Sequence, residues 1–100
     1  MNTALQRVLQ TLRDHQAELC SLGARHMSVF GSVARGDAGA DSDVDILVDL
    51  DRDRAMGLFE YSRLKLHITA ILGNSADVVN RQTLKPLLRE NILRDAVDAF

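Results

Sequence analysis

From Asp43 to Leu50 the chain alternates strictly at its start, and this limits how it can fold more than any other stretch. Val44, Ile46, Val48 and Leu50 fall to one side, and Asp43, Asp45 and Asp49 to the other. A period of two puts successive side chains on opposite faces of a strand. Such a strand buries its apolar side and presents carboxylates on its other side, so it belongs in a sheet covered on one face.

Helix and strand periods alternate around it. Over residues 3–22, Leu5, Val8, Leu9, Leu12, Leu19 and Leu22 follow helical spacing, while Arg13, Asp14 and Glu18 lie opposite; the pattern predicts an amphipathic helix. Asn2 or Thr3 can cap its start, and Gly23 stands where a left-handed residue would end it. His26 to Phe30 reads as a short strand stopped by Gly31-Ser32, a small turn or helix follows over 33–35, and 36–42 is a loop. A second long helix is expected over 54–72, with Tyr61, Leu64, Ile68, Ile71 and Leu72 on one face and Gly73 as its stop. Residues 76–79 make a third short strand, and a last helical stretch runs from about Thr83 to the end, with Pro86 tolerated near its first turn. The fold class is therefore α/β (α+β), a small mixed three-stranded sheet flanked by helices, in a single domain over residues 1–100.

Composition narrows the function classes. With 46% hydrophobic residues but only 4% aromatic, the core is made mainly of Leu, Val, Ile and Ala. A net charge of −2 gives no global reason to expect nucleic-acid or membrane binding. A lone cysteine, Cys20, excludes an internal disulfide and reads as a small packing residue. No signal-peptide pattern and no membrane-length apolar run is present, so a soluble, cytoplasmic protein is expected.

The stretch GSVARGDAGADSDVD, residues 31–45, carries the chemistry. Asp43 and Asp45 are two apart on a strand, so their carboxylates leave one face with Cα atoms roughly 6.5–7 Å apart. Their mutual repulsion disfavours ionising both. Divalent cations relieve it, and hard oxygen ligands suit Mg²⁺ bound together with substrate phosphates. Gly31-Ser32 directly follows a strand and precedes a helix-like turn, where a phosphate can approach the backbone closely. Ser32 adds a hydroxyl, and Arg35, one turn on, can reach a phosphate oxygen. Two competing motifs fail on the same letters. An EF-hand loop starting at Asp41 would place Ile46 where Gly is needed and Arg52 where Glu is needed, and the Gly-Lys-Ser/Thr of a Walker A loop is absent.

Gly31-Ser32, ten intervening residues and Asp43-Val44-Asp45 resemble the signature of the DNA polymerase beta-like nucleotidyltransferase superfamily. Arg35-Gly36 and Ser42 match its small prokaryotic branch, the minimal nucleotidyltransferase (MNT) group, whose members act as antitoxins to HEPN-domain ribonuclease toxins. The likeness extends through a leading helix, three strands and a C-terminal helix containing Leu84-Lys85-Pro86. The resemblance implies a third carboxylate on a later strand, for which Asp77 is the match. It further implies that Asp43, Asp45 and Asp77 hold Mg²⁺, and that Asp77 helps deprotonate the attacking hydroxyl. Gly31 and Ser32 would bind the triphosphate of ATP through backbone donors, with Arg35 assisting.

The implied reaction is transfer of AMP from ATP to a side chain of a HEPN toxin, tyrosine being the implied acceptor. No direct nucleic-acid or membrane contact is expected, and a hetero-oligomer with the toxin is. Since the chain covers little more than a catalytic core, the acceptor must be held by this domain itself or brought by a docking protein. Two other readings remain: a non-catalytic antitoxin that masks the toxin by stoichiometric binding, and a small-molecule nucleotidyltransferase, against which the missing substrate domain argues. His15, His26 and His67 lie on different elements without ligand spacing, and Tyr61 is assigned to packing.

Overall fold

A computed structural model describes residues 2–39 and 41–100, so Ala40 of the expected loop lies outside the described residues. The sheet has four strands in the order β3-β2-β1-β4. They are β1 (Ala24–Phe30), β2 (Val44–Leu50), β3 (Ala76–Asn80) and β4 (Val97–Asp98). β1 runs antiparallel to both β2 and β4, and β2 runs parallel to β3. The helices are α1 (Thr3–Asp14), α2 (Gln16–Ser21), α3 (Gly31–Arg35), α4 (Leu58–Leu72) and α5 (Pro86–Asp95), with a 3₁₀ turn at Arg81–Thr83.

The alternation in β2 is realised as expected on its apolar side. Val44, Ile46 and Val48 are buried, and Val29 and Met27 of β1 stand opposite Ile46 and Val48 on that same face. Leu5, Leu9, Leu12 and Leu19 from the leading helices and Leu64 and Ile68 from α4 close over them in one cluster. Leu47, on the acidic side, is also buried, but it stands outside that cluster together with Phe30. Among the described residues no helix is long and apolar enough to cross a membrane.

Several features depart from the sequence expectation. The leading helix is broken at His15, whose backbone turns to φ −107°, ψ 16° and whose N–H is shared between Thr11 O and Leu12 O. Neither Gly nor Pro marks the break, and Leu19 beyond it is buried with Leu12 before it. The second long helix begins at Leu58 instead of residue 54, because Asp51 folds the preceding loop. Its carboxylate accepts from Asp53 N at 3.0 Å and its carbonyl from Arg54 N at 3.3 Å, an Asx-type turn. Cys20 is exposed and is not a packing residue.

The largest correction is at the C-terminus, where the expected three-stranded sheet gains a fourth strand. The last helix ends at Asp95, and Val97–Asp98 pairs with Ser28 and Val29. The Ser28 hydroxyl donates to Asp98 at 2.8 Å, Ala99 N to Met27 O at 2.8 Å, and the Arg13 guanidinium to Ala99 O at 2.7 Å. A helix continued through these residues would leave the outer edge of β1 unpaired. Two residues of strand satisfy it instead.

Candidate active site

β1 leaves the sheet through an extended Phe30 (φ −135°, ψ −175°) into Gly31 at φ +72°, and α3 starts there. Glycine enters this left-handed region at little cost, whereas other residues are strained in it. Gly31 also has a packing reason to be glycine, since a Cβ there would run into the Asp45 carboxylate. The Gly-Ser turn and the strand aspartate are thus one structural unit, although 12 residues lie between Ser32 and Asp45 in sequence. The first N–H groups of a helix have no intrahelical partner, so the start of α3 presents donors beside that carboxylate.

Asp45 pairs with Phe30 on β1 and lies in parallel register with Asp77 on β3. Neighbouring strands are about 4.8 Å apart, and residues in register share a face, so Asp45 and Asp77 stand side by side. Asp43, one residue short of β2 and exposed, precedes Asp45 by the two positions that keep it on the same side. Burial, then the Asp77 charge, then the Asp43 charge raise the Asp45 carboxyl above its ordinary range, and Arg35 opposes them. Asp43 and Asp77 thus both act on Asp45 electrostatically. Their donor set is entirely hard oxygen, the kind that Mg²⁺ takes. Among the described residues, no three such side chains are gathered closely enough as they stand to hold a metal ion between them.

A cleft of about 400 Å³ opens on this face, lined by Phe30, Gly31, Ser32, Arg35 and Asp45 on one side. Asn91, Ile92 and Asp95 of α5 form the other side. Its volume is that of a small-ligand site. Four of the six residues singled out in the sequence, Gly31, Ser32, Arg35 and Asp45, meet in it. Asp77 flanks Asp45 on the next strand, and Asp43 borders a neighbouring hollow with Ser42 and Asn74. Arg35 is engaged by its own chain: its guanidinium pairs with Asp95 at 2.8 Å and Asp37 at 3.2 Å, and both raise its pKa.

The α5 wall was not expected. Asn91 and Asp95 are four apart, a spacing that shares one helix face, but nothing local in the sequence indicates that this face crosses over the Gly-Ser turn. Tyr61 is half-buried on α4 as its spacing implied, and its hydroxyl donates to Val78 O at 3.3 Å. Burial and then Asp77 raise the Tyr61 pKa, which keeps that hydroxyl protonated.

A glycine turn at a helix start stands against carboxylates on adjacent strands at the mouth of an open cleft, an arrangement suited to phosphates and a divalent cation together. The nucleotidyltransferase domain model matches residues 12–99, and the chain belongs to that family. Within it the chain is similar to the minimal, MntA-type members. It is 37% identical over 94 residues, 93% of each chain, to the protein adenylyltransferase MntA of Thermococcus cleftensis. A solved structure described as a candidate minimal nucleotidyltransferase is 43% identical, with a TM-score of 0.69 over 89% of this chain and 93% of that one. A complex of a tri-AMPylated Shewanella oneidensis HEPN toxin with its MNT antitoxin contains a chain of the same fold, with a TM-score of 0.64 at 15% identity over 92% of this chain and 71% of that one.

Proposed function

We propose that this protein is an antitoxin that transfers AMP from ATP to a cognate HEPN ribonuclease toxin, with a tyrosine hydroxyl as acceptor, and thereby neutralises it. The observation that carries this reading is Asp45, placed between the Gly31 turn and Asp77. The relative's name, protein adenylyltransferase, supports the reaction class, and the AMPylated toxin in the Shewanella complex supports the acceptor class.

In this mechanism the triphosphate lies at the start of α3, where Gly31 lets it approach the backbone and N–H groups at Gly31 and Ser32 bind its oxygens. Arg35 borders the same cleft and adds a positive charge beside the phosphates. Asp43, Asp45 and Asp77 would hold Mg²⁺, which when bound offsets charge on both the attacking and the leaving oxygens. The tyrosine oxygen forms a bond to the α-phosphorus, the bond to pyrophosphate breaks, and Asp77 accepts the hydroxyl proton. The product is an adenylylated tyrosine, whose charge repels RNA phosphates near a ribonuclease site. The site is read as acting in the cytoplasm, without direct contact to nucleic acid or membrane.

One observation favours the second reading, masking by stoichiometric binding. Leu58, Phe59 and Leu66 on α4 and Leu87 and Leu88 on α5 are exposed, as apolar side chains on a partner-binding surface are. The decisive experiment combines the protein, ATP labelled in the α-phosphate, Mg²⁺ and the purified HEPN partner. Label should appear on the partner and be lost with Asp43→Ala/Asp45→Ala. No label, with inhibition of the ribonuclease preserved in the double variant, would establish masking.

A further inference from the structure

A second polar cleft, of about 510 Å³, shares no lining residue with the Gly31 cleft and is lined by Asp49, Arg52, Arg81, Gln82 and Arg89. Its three arginines come from three places: the loop after β2, the 3₁₀ turn after β3, and α5. Among the described residues none of them has an ion-pair partner; the ion pairs there involve Arg35 and His67. The one carboxylate in the cleft, Asp49, accepts a hydrogen bond from the Gln82 amide. Three planar guanidinium groups thus converge with their donors uncommitted, in a chain whose net charge is −2.

The position of the cleft connects it to the transfer site. Asp45 and Asp49 are four apart on β2, so they share a face and lie roughly 13 Å apart along the strand. α5 borders both clefts, with Asn91 and Asp95 at the nucleotide end and Arg89 at the arginine end. An acceptor that reaches Asp77 with its hydroxyl can therefore rest its adjoining surface against the arginines.

Resting on the transferase reading above, we propose that Arg52, Arg81 and Arg89 form the docking site for an acidic segment of the protein acceptor. Its carboxylates would lie at the Asp49 end of β2, about 13 Å along the strand from Asp45. Guanidinium groups pair carboxylates bidentately, which fixes register as well as supplying affinity. A nucleic-acid strand fits the cleft less well, because no aromatic side chain lines it to stack a base.

The test uses the full chain and its Arg52→Gln/Arg81→Gln/Arg89→Gln variant, with fluorescein-labelled hexaglutamate and a single-stranded RNA of matched charge as probes. Hexaglutamate should bind the parent protein more tightly than the RNA does, weaken as salt rises, and lose affinity on the order of tenfold or more in the variant. ATP affinity and melting temperature should be unchanged, since all three arginines are exposed. Hexaglutamate binding that is absent, or equal in parent and variant, would overturn the proposal. Tighter RNA binding that depends on the same arginines would overturn it in favour of a nucleic-acid site.

The peptide measurement needs no catalysis, so it stands or falls apart from the transferase reading. Where the parent protein transfers label to the HEPN partner, the variant should raise the acceptor KM on the order of tenfold and leave kcat and the KM for ATP unchanged. An unchanged acceptor KM would also overturn docking.

Discussion

Val44, Ile46 and Val48 on one face of β2 are at most 4% exposed and packed under α1 and α4, whereas Asp45 and Asp49, one residue out of phase, open onto two clefts that α5 borders. The same seven-residue strand serves both. Its apolar face excludes water and fixes where the backbone lies. Its acidic face inherits that position and tolerates mutual repulsion between carboxylates, because the opposite face already holds the strand in place. Stability and chemistry are thus separated by the pleat, not by distance along the chain. Substitutions at adjacent positions should then fail in different ways.

The largest effect should come from the acidic face. Asp45→Asn is isosteric, leaves the apolar cluster untouched, and should lower AMP transfer by about a thousandfold. Single-turnover transfer from α-labelled ATP reads the loss, and a thermal melt checks that the fold is intact. Activity within tenfold of the parent protein would mean that this face is not where transfer occurs.

One residue along, Ile46→Ala should do the reverse. Ile46 is fully buried among Val29, Leu64 and Ile68, so truncation removes its packing and leaves a cavity worth about 2–5 kcal/mol. Urea unfolding measures this, and transfer per folded molecule should stay within a few-fold of the parent protein. A large loss of specific activity without a loss of stability would show that the two faces are not independent.

The two faces also differ in how far the sequence reveals them. The alternation of β2 names its buried residues directly, and the spacing from Gly31-Ser32 to Asp43-Val44-Asp45 is specific enough to locate the turn and its carboxylates. These features are local, or depend on one motif. The α5 wall, the arginine cleft and β4 depend on which elements come to lie beside one another, and no period in residues 83–100 encodes that. Val97 and Asp98 read as the tail of a helix because their partners, Ser28 and Val29, are some seventy residues away. The break at His15 is likewise not marked in Asp14-His15-Gln16, where neither Gly nor Pro interrupts the helical spacing.

Gly31 joins the two regions, and the next prediction sharpens the comparison there. At φ +72° with Asp45 against it, Gly31→Ala is strained by its backbone and displaces the carboxylate as well. A stability loss of about 1–3 kcal/mol is expected from urea unfolding. The KM for ATP should rise in the same variant, since the turn proposed to bind the phosphates is the turn that must move. Gly73, also at positive φ but with nothing near its Cβ position, provides the control: Gly73→Ala should cost stability alone.

The smallest expected effect is also the most direct test of the repulsion on the acidic face. Burial, Asp77 and Asp43 raise the Asp45 carboxyl above its ordinary value of 3.8, so the folded protein holds that proton more tightly than the unfolded chain does. Stability from this group is fully present below the unfolded pKa and is lost as pH rises through the folded one. At pH 7, without divalent cations, the ionised Asp45 therefore costs the parent protein stability that Asp45→Asn does not lose. The variant should melt above the parent protein at pH 7, and the gap should close as pH falls below about 3.8. A variant that melts lower at pH 7 would mean that attraction from Arg35, the one opposing influence, outweighs burial and both neighbouring carboxylates. The acidic face would then be a stabilising ion-pair cluster, and the division of labour across β2 would fail.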